Sequence, residues 1–146
     1  MNSNLPKTIF ITGATSGFGK ATAKLFNEKG WQTIITGRRA DRLEELAEEL
    51  GQNSLPLSFD VSDRQSVLTA VKNLPPNFKK ISVLCKNAGL ALGLEGADNA
   101  NLDDWDQMID TNIKGLVYAT RTILPLMIDN GEGHIINLGS VAGSYP

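Results

Sequence analysis

The sequence predicts an α/β fold in which a doubly wound parallel sheet lies between two layers of helices. Three observations lead there. Five short runs rich in Ile, Val, Leu and Thr alternate strictly with four longer amphipathic segments. The runs are nearly all apolar, as strands buried on both faces must be. Right-handed crossovers between such strands make neighbours parallel and stack the chain in three αβα layers.

Each element has its own signal. The first strand is KTIFIT, Lys7 to Thr12. The glycine-rich TGATSGFG follows, then KATAKLFNEKG, where Ala21, Leu25 and Phe26 are expected to share the buried face and Gly30 stops the helix. QTIITG, from Gln32, is the second strand, and ADRLEELAEELG places Leu43, Leu46, Ala47 and Leu50 on one stripe before Gly51. LPLSFDV, Leu55 to Val61, is the third strand. SDRQSVLTAVKNLPP opens with Ser62 and Gln65 at capping-box spacing and ends at Pro75 and Pro76. ISVLCKN, from Ile81, is the fourth strand. A long helix from about Asn101 to Asn130 carries Trp105, Met108, Ile109, Leu116, Ala119, Ile123 and Met127 on one side, with a kink expected at Pro125. GHIINLG, Gly133 to Gly139, is the fifth strand. The Gly-, Ala- and Asn-rich stretch from Leu90 to Asn101 reads as mobile.

Size and charge narrow the function classes. At 146 residues the chain suits one domain, residues 1–146. A net charge of −2 argues against a nucleic-acid partner. No apolar stretch is long enough for a bilayer, and the N-terminal sequence reads as a strand rather than a signal peptide, so no membrane partner is expected. The single cysteine, Cys85, cannot form an internal disulfide and reads as a core residue; together these features suggest the cytoplasm. The acidic EELAEEL reads as a solvated helix face, and no metal site is expected. His134 is the one histidine, which leaves no Cys–His or Ser–His–Asp set.

The turn after the first strand holds Gly13, Gly17 and Gly19 and opens the first helix. Glycines there let backbone N–H groups and the positive helix end approach a pyrophosphate. The spacing is G-x-x-x-G-x-G rather than G-x-G-x-x-G.

TGATSGFG resembles the T-G-x-x-x-G-x-G motif of the short-chain dehydrogenase/reductase family, which uses NAD or NADP. Further landmarks follow in order over essentially the whole chain: Asp60 and Val61, NAG at Asn87, Ala88 and Gly89, TNIKG with Asn112, and GS with Ser140. Lys86 departs from the family's usual N-N-A-G. GATSGFG, GRRADRLEEL and GSVAGSYP are similar to the NADP-linked members acting on short 3-hydroxy acids or serine-like substrates. The resemblance implies a Rossmann-type sheet of order 3-2-1-4-5, cut short after the fifth strand. It implies cofactor contacts from Gly13, Thr15, Ser16, Gly17, Phe18 and Gly19, from Asp60 and Val61 at the adenine, and from Asn87, Ala88 and Gly89. It also implies full-length relatives that are homo-oligomeric.

An NAD site needs a carboxylate at the end of the second strand. Here Arg38 and Arg39 stand there, and guanidinium groups grip phosphate with paired charge-assisted bonds, so NADP is favoured over NAD. The plainer reading is that Arg39 decorates the start of the next helix. In the family a tyrosine and a lysine four residues on run general acid/base catalysis. By resemblance Ser140 would bind the substrate oxygen, and Asn112 would support a water relay. Ser140 could also be an ordinary strand-end serine. No Tyr-x-x-x-Lys occurs: Tyr118 is followed by Thr122, and Tyr145 has no residue four places on. The expectation is therefore a small-molecule oxidoreductase whose present polypeptide is inactive alone. The fifth strand would be an apolar edge prone to self-association. The alternatives are a dinucleotide-binding or regulatory module without catalysis, and a methyltransferase-like domain for S-adenosylmethionine, against which Arg38 and Arg39 argue.

Overall fold

The computed structural model describes residues 6–144. Its sheet has five strands in the order β3-β2-β1-β4-β5, and every pairing is parallel. The strands are β1 (Thr8–Thr12), β2 (Gln32–Gly37), β3 (Ser54–Ser58), β4 (Ile81–Lys86) and β5 (His134–Asn137). The helices are α1 (Gly17–Glu28), α2 (Ala40–Leu50), α3 (Arg64–Lys72), α4 (Leu102–Ile109) and α5 (Gly115–Asp129). This is the three-layer Rossmann-type arrangement.

The two faces of the sheet form two cores. Ile9, Ile11, Ile35, Val83 and Cys85 meet Ala23 of α1 and Leu43 and Leu46 of α2. Phe10, Ile34, Ile81 and Leu84 meet Val71 of α3 and Ile123 and Met127 of α5. Alternate residues of one strand thus serve opposite layers, which is why β1 and β4 are buried end to end. Only the central strands are so: β3 and β5 lie at the edges and are half-buried to exposed, contrary to the uniformly buried strands expected. Burial raises the Cys85 thiol above its ordinary value, in keeping with a core residue. Trp31 stands edge-on to Phe26 at 5.0 Å, and Lys7 lies 5.7 Å from its ring, joining α1 to the sheet.

Several local expectations need correction. In α1 the inward residues are Gly19 and Ala23, with Phe26 packed against the core at i, i+4, i+7 spacing; Ala21 and Leu25 face solvent. The third strand ends at Ser58, short of Asp60 and Val61, and the fifth ends at Asn137, short of Ser140. The cap of α3 is Asp63, which accepts from the Gln65 N–H at 3.1 Å. Ser62 instead turns back, its N–H and Oγ donating to Asp60 Oδ1 at 2.9 and 2.7 Å.

The long helix departs most. It splits into α4 and α5 around a π-helical turn at Asp110–Lys114, while Pro125 sits inside α5. The wider turn adds one residue, about 100° of rotation, to the helical phase. The single stripe read from sequence is therefore broken. Ala119, Ile123 and Met127 are buried, whereas Trp105 and Ile109 are 40% and 45% exposed.

Candidate functional site

All five strands point their C-terminal ends at one edge of the sheet, and the turns leaving β1, β2 and β4 meet there. Side-chain bonds fix how they meet. Thr12 Oγ1 accepts from the Asn87 and Ala88 N–H groups at 3.1 and 3.0 Å. Asn87 Nδ2 donates to the carbonyls of Thr12 and Gly13 at 3.1 and 2.8 Å. Two loops distant in sequence are thereby locked into one wall.

Glycine is required at two points of that wall. A Cβ on Gly19 would lie 2.2 Å from the Gly13 carbonyl oxygen. One on Gly13, whose φ is +70°, would lie 2.8 Å from Ala88 Cα. Gly17 has φ +53° and open space around it. Ser16 sits at the N-cap of α1, but its side chain makes no capping bond to the helix. The first-turn amides and the positive end of α1 are thus left for an acceptor outside the helix.

The cleft in front of this turn has a volume of about 750 Å³, within the usual range of ligand pockets. Gly13, Thr15, Ser16 and Phe18 line one side and Asn87, Ala88 and Gly89 the back. Arg38, Arg39, Asp60 and Val61 line the far side. Phe18 is 76% exposed. Arg39 stands at the N-cap position of α2 without a side-chain capping bond, and its Nη2 donates to Thr15 Oγ1 at 2.9 Å, so it reaches across the cleft. One carboxylate oxygen of Asp60 is held by Ser62.

A second cavity, about 390 Å³, continues along the back wall. Ser140, Asn112 and Lys86 line it together. Ser140 Oγ accepts from the Ala142 N–H at 3.2 Å, which leaves its own proton free to donate. Asn112 lies in the π turn, and each of its polar atoms makes one bond there. Its Oδ1 accepts from the Leu90 N–H at 2.9 Å, and its Nδ2 donates to the Leu90 carbonyl at 2.8 Å. That reciprocal pair ties the loop after Gly89 to the helix. Tyr118 is half-buried on α5, where its carbonyl accepts from the Thr122 hydroxyl; Tyr145 lies outside the described residues.

The sequence-selected residues therefore gather around two adjoining cavities, except Gly17 and Gly19, which line neither: Gly19 packs against Gly13 and Gly17 has open space around it. Sequence reasoning missed Thr12, Lys86, Leu90 and Thr111. Thr12 had a signal, since it opens the T-G motif, and Lys86 had one as the departure from N-N-A-G. Leu90 acts through backbone atoms, and no residue type announces that. Among the described residues no group of three or more His, Cys, Asp or Glu could hold a metal ion, and no helix is long and apolar enough to cross a membrane.

The residues present fit a dinucleotide: uncapped amides for a pyrophosphate, a glycine-lined approach, and two guanidinium groups where a carboxylate would be needed for a free ribose hydroxyl.

Comparisons with known proteins agree with this geometry. The chain is 55% identical over 139 residues to a probable NADP-dependent dehydrogenase of Haemophilus influenzae, covering 95% of this chain and 55% of that protein. It is 51% identical over 138 residues to an NADP-dependent 3-hydroxy acid dehydrogenase of Salmonella typhi, covering 94% of this chain and 56% of that protein. The closed form of serine dehydrogenase complexed with NADP+ superposes with a TM-score of 0.93 at 48% identity, covering 95% of this chain and 56% of that chain. The chain thus spans about half the length of the curated relatives it matches. The family model for short chain dehydrogenases matches residues 7–146, and with the parallel sheet and the glycine turn in place, the chain belongs to the short chain dehydrogenase family.

Proposed function

We propose that residues 1–146 form one dinucleotide-binding unit that prefers NADP(H) to NAD(H). The protein's reaction is hydride transfer between NADP(H) and a small hydroxy or oxo acid, such as a 3-hydroxy acid. The observation that carries this reading is the pairing of the uncapped N-terminus of α1 with Arg38 and Arg39 across one cleft. The NADP-dependent names of the relatives, and the neighbour that holds NADP+, support it.

When bound, the nicotinamide ring supplies or accepts the hydride. The rest is the work of this chain. The turn at Gly13, Thr15, Ser16, Gly17, Phe18 and Gly19 offers amides to the pyrophosphate, and Arg38 and Arg39 take the 2′-phosphate. Asp60 and Val61 border the adenine. Asn87, Ala88 and Gly89 form the back wall. Ser140 donates its free proton to the substrate oxygen. Asn112, bonded through both polar atoms to Leu90, is a positioning residue: it fixes the loop beside the cavity and keeps one N–H for a further acceptor.

No tyrosine with a lysine four residues on lies within the 146 residues. Lacking that general acid/base pair, this polypeptide alone binds the dinucleotide and turns it over poorly, since such a group contributes about 10²–10⁴ in rate. The same reading places the protein in the cytoplasm, and leaves β5 as an edge through which copies of this polypeptide associate.

Calorimetry tests the reading. NADP+ should bind more tightly than NAD+, and Arg38→Ala with Arg39→Ala should erase the difference, a loss of roughly tenfold or more. No heat with either dinucleotide, equal affinity for both, or tighter binding of S-adenosylmethionine would sink it. Oxidation of NADPH by short 3-oxo acids at the rate of a full-length relative would refute the inactivity.

A further inference from the structure

Among the described residues, the smaller cavity contains a charged group without a counter-charge. Lys86 ends β4 and is 7% exposed. Its Nζ donates to Thr120 Oγ1 at 2.6 Å. That hydroxyl sends its own proton to the Leu116 carbonyl at 2.7 Å, so toward Lys86 it only accepts. An ammonium carries three N–H donors, and this bond uses one. The ion pairs among the described residues join Lys20 and Lys24 to Glu49 and Lys114 to Asp110; none includes Lys86. Of the residues lining the cavity, Lys86 alone is ionisable. Burial accordingly lowers its pKa from the ordinary lysine value.

A buried cation with no counter-charge is costly, and packing alone would be served better by an apolar side chain. A ligand that brings the missing negative charge removes the cost. The cavity is the one that Ser140 and Asn112 line, and about 390 Å³ admits a small organic acid. We propose that Lys86 is an anion subsite that holds the carboxylate of a small organic acid in the cavity beside Ser140. That the acid is the reaction's substrate rests on the function proposed above; that an anion binds at Lys86 does not. An acid anchored at Lys86 would be selected over an alcohol or ketone of the same size that lacks the carboxylate.

Acetate and acetamide make the test, because they match in size and differ in charge. The 146-residue chain is titrated with each while the Lys86 side-chain resonances are followed by NMR in lysine-labelled protein. Acetate should shift them saturably and acetamide should not, and Lys86→Met should weaken acetate binding roughly tenfold or more. Lys86→Gln, which keeps a polar head without charge, should weaken it likewise and carries the comparison if the methionine variant does not fold. Equal responses to the two probes, no shift at Lys86, or unchanged acetate affinity in either folded variant would overturn the proposal. NADP+ is titrated separately. Failure there with the acetate response intact defeats the cofactor reading and leaves the anion subsite standing.

Discussion

Thr12 closes β1 with a hydroxyl that takes two amide protons from the turn after β4, at 3.1 and 3.0 Å. Valine has the same shape without the oxygen. Thr12→Val therefore leaves the Asn87 and Ala88 amides without that acceptor, in a wall where Thr12 itself is 3% exposed. Each part-buried amide left unmade costs about 1–3 kcal/mol, so for the two a loss of roughly 2–6 kcal/mol is expected in denaturant unfolding, together with weaker dinucleotide binding. Lys86 poses the opposite case, a group whose charge the fold disfavours. Its pKa is lowered on folding, so the unfolded chain binds the proton more tightly. The penalty is complete below the folded value and lifts as pH rises through it toward the ordinary lysine range, near 10.4. Lys86→Met should be at least as stable as the parent at neutral pH, and its advantage should shrink in alkali; denaturant melts across that range read the sign. At this scale much was legible. The glycines and Arg38, Arg39 and Ser140 identify themselves by type and place. Leu90 does not, because its part in the site is a peptide group.

At the scale of elements, the sequence carries the strands and helices through their apolar runs and stops, and fails where a single residue changes phase. The π turn at Asp110–Lys114 is such a place. A periodicity read at one residue per 100° runs through it unbroken and puts Trp105 in the core with Met127, yet only Met127 is buried. Lys114 and Asp110 pair at 2.6 Å across the turn, and the partner carboxylate raises the lysine's pKa. Gly115 follows at once and lies against Val61; a Cβ there would sit 2.8 Å from Val61 Cγ2. The helix can approach the Val61 side of the cleft this closely only without that methyl. Gly115→Ala gains helix propensity of about 1 kcal/mol, but must push the helix or Val61 aside. Overpacking at about 1–3 kcal/mol outweighs the gain. The expected result is a net loss of stability and a fall in dinucleotide affinity, read by thermal unfolding and calorimetry; a more stable variant with unchanged affinity would show that the contact is slack.

The whole molecule follows from strict alternation, which fixes a parallel sheet and puts every strand's C-terminal end on one side. What alternation does not show is how the two edges differ. The β3 edge is blunted: Pro56 sits within it, paired in register with Ile35, and removes a donor. Among the described residues the β5 edge carries no such device. It reads His134, Ile135, Ile136, Asn137, with half-buried isoleucines, and apolar residues gather beside it: Ile128 is 68% exposed, Leu138 48% and Val141 79%. An unpaired parallel edge flanked by apolar surface is a template for another chain. For the 146-residue polypeptide the expected behaviour is concentration-dependent association through β5 and not through β3. Sedimentation velocity should show mass rising with concentration. His134→Lys with Val141→Lys, both at exposed positions, should return the chain to monomer by placing charge along the edge, while dinucleotide affinity stays unchanged. Ser58→Lys, at the exposed end of β3, should leave association as it was. A parent chain that sediments as a monomer at every concentration, or association that survives the paired lysines, would remove β5 as the contact.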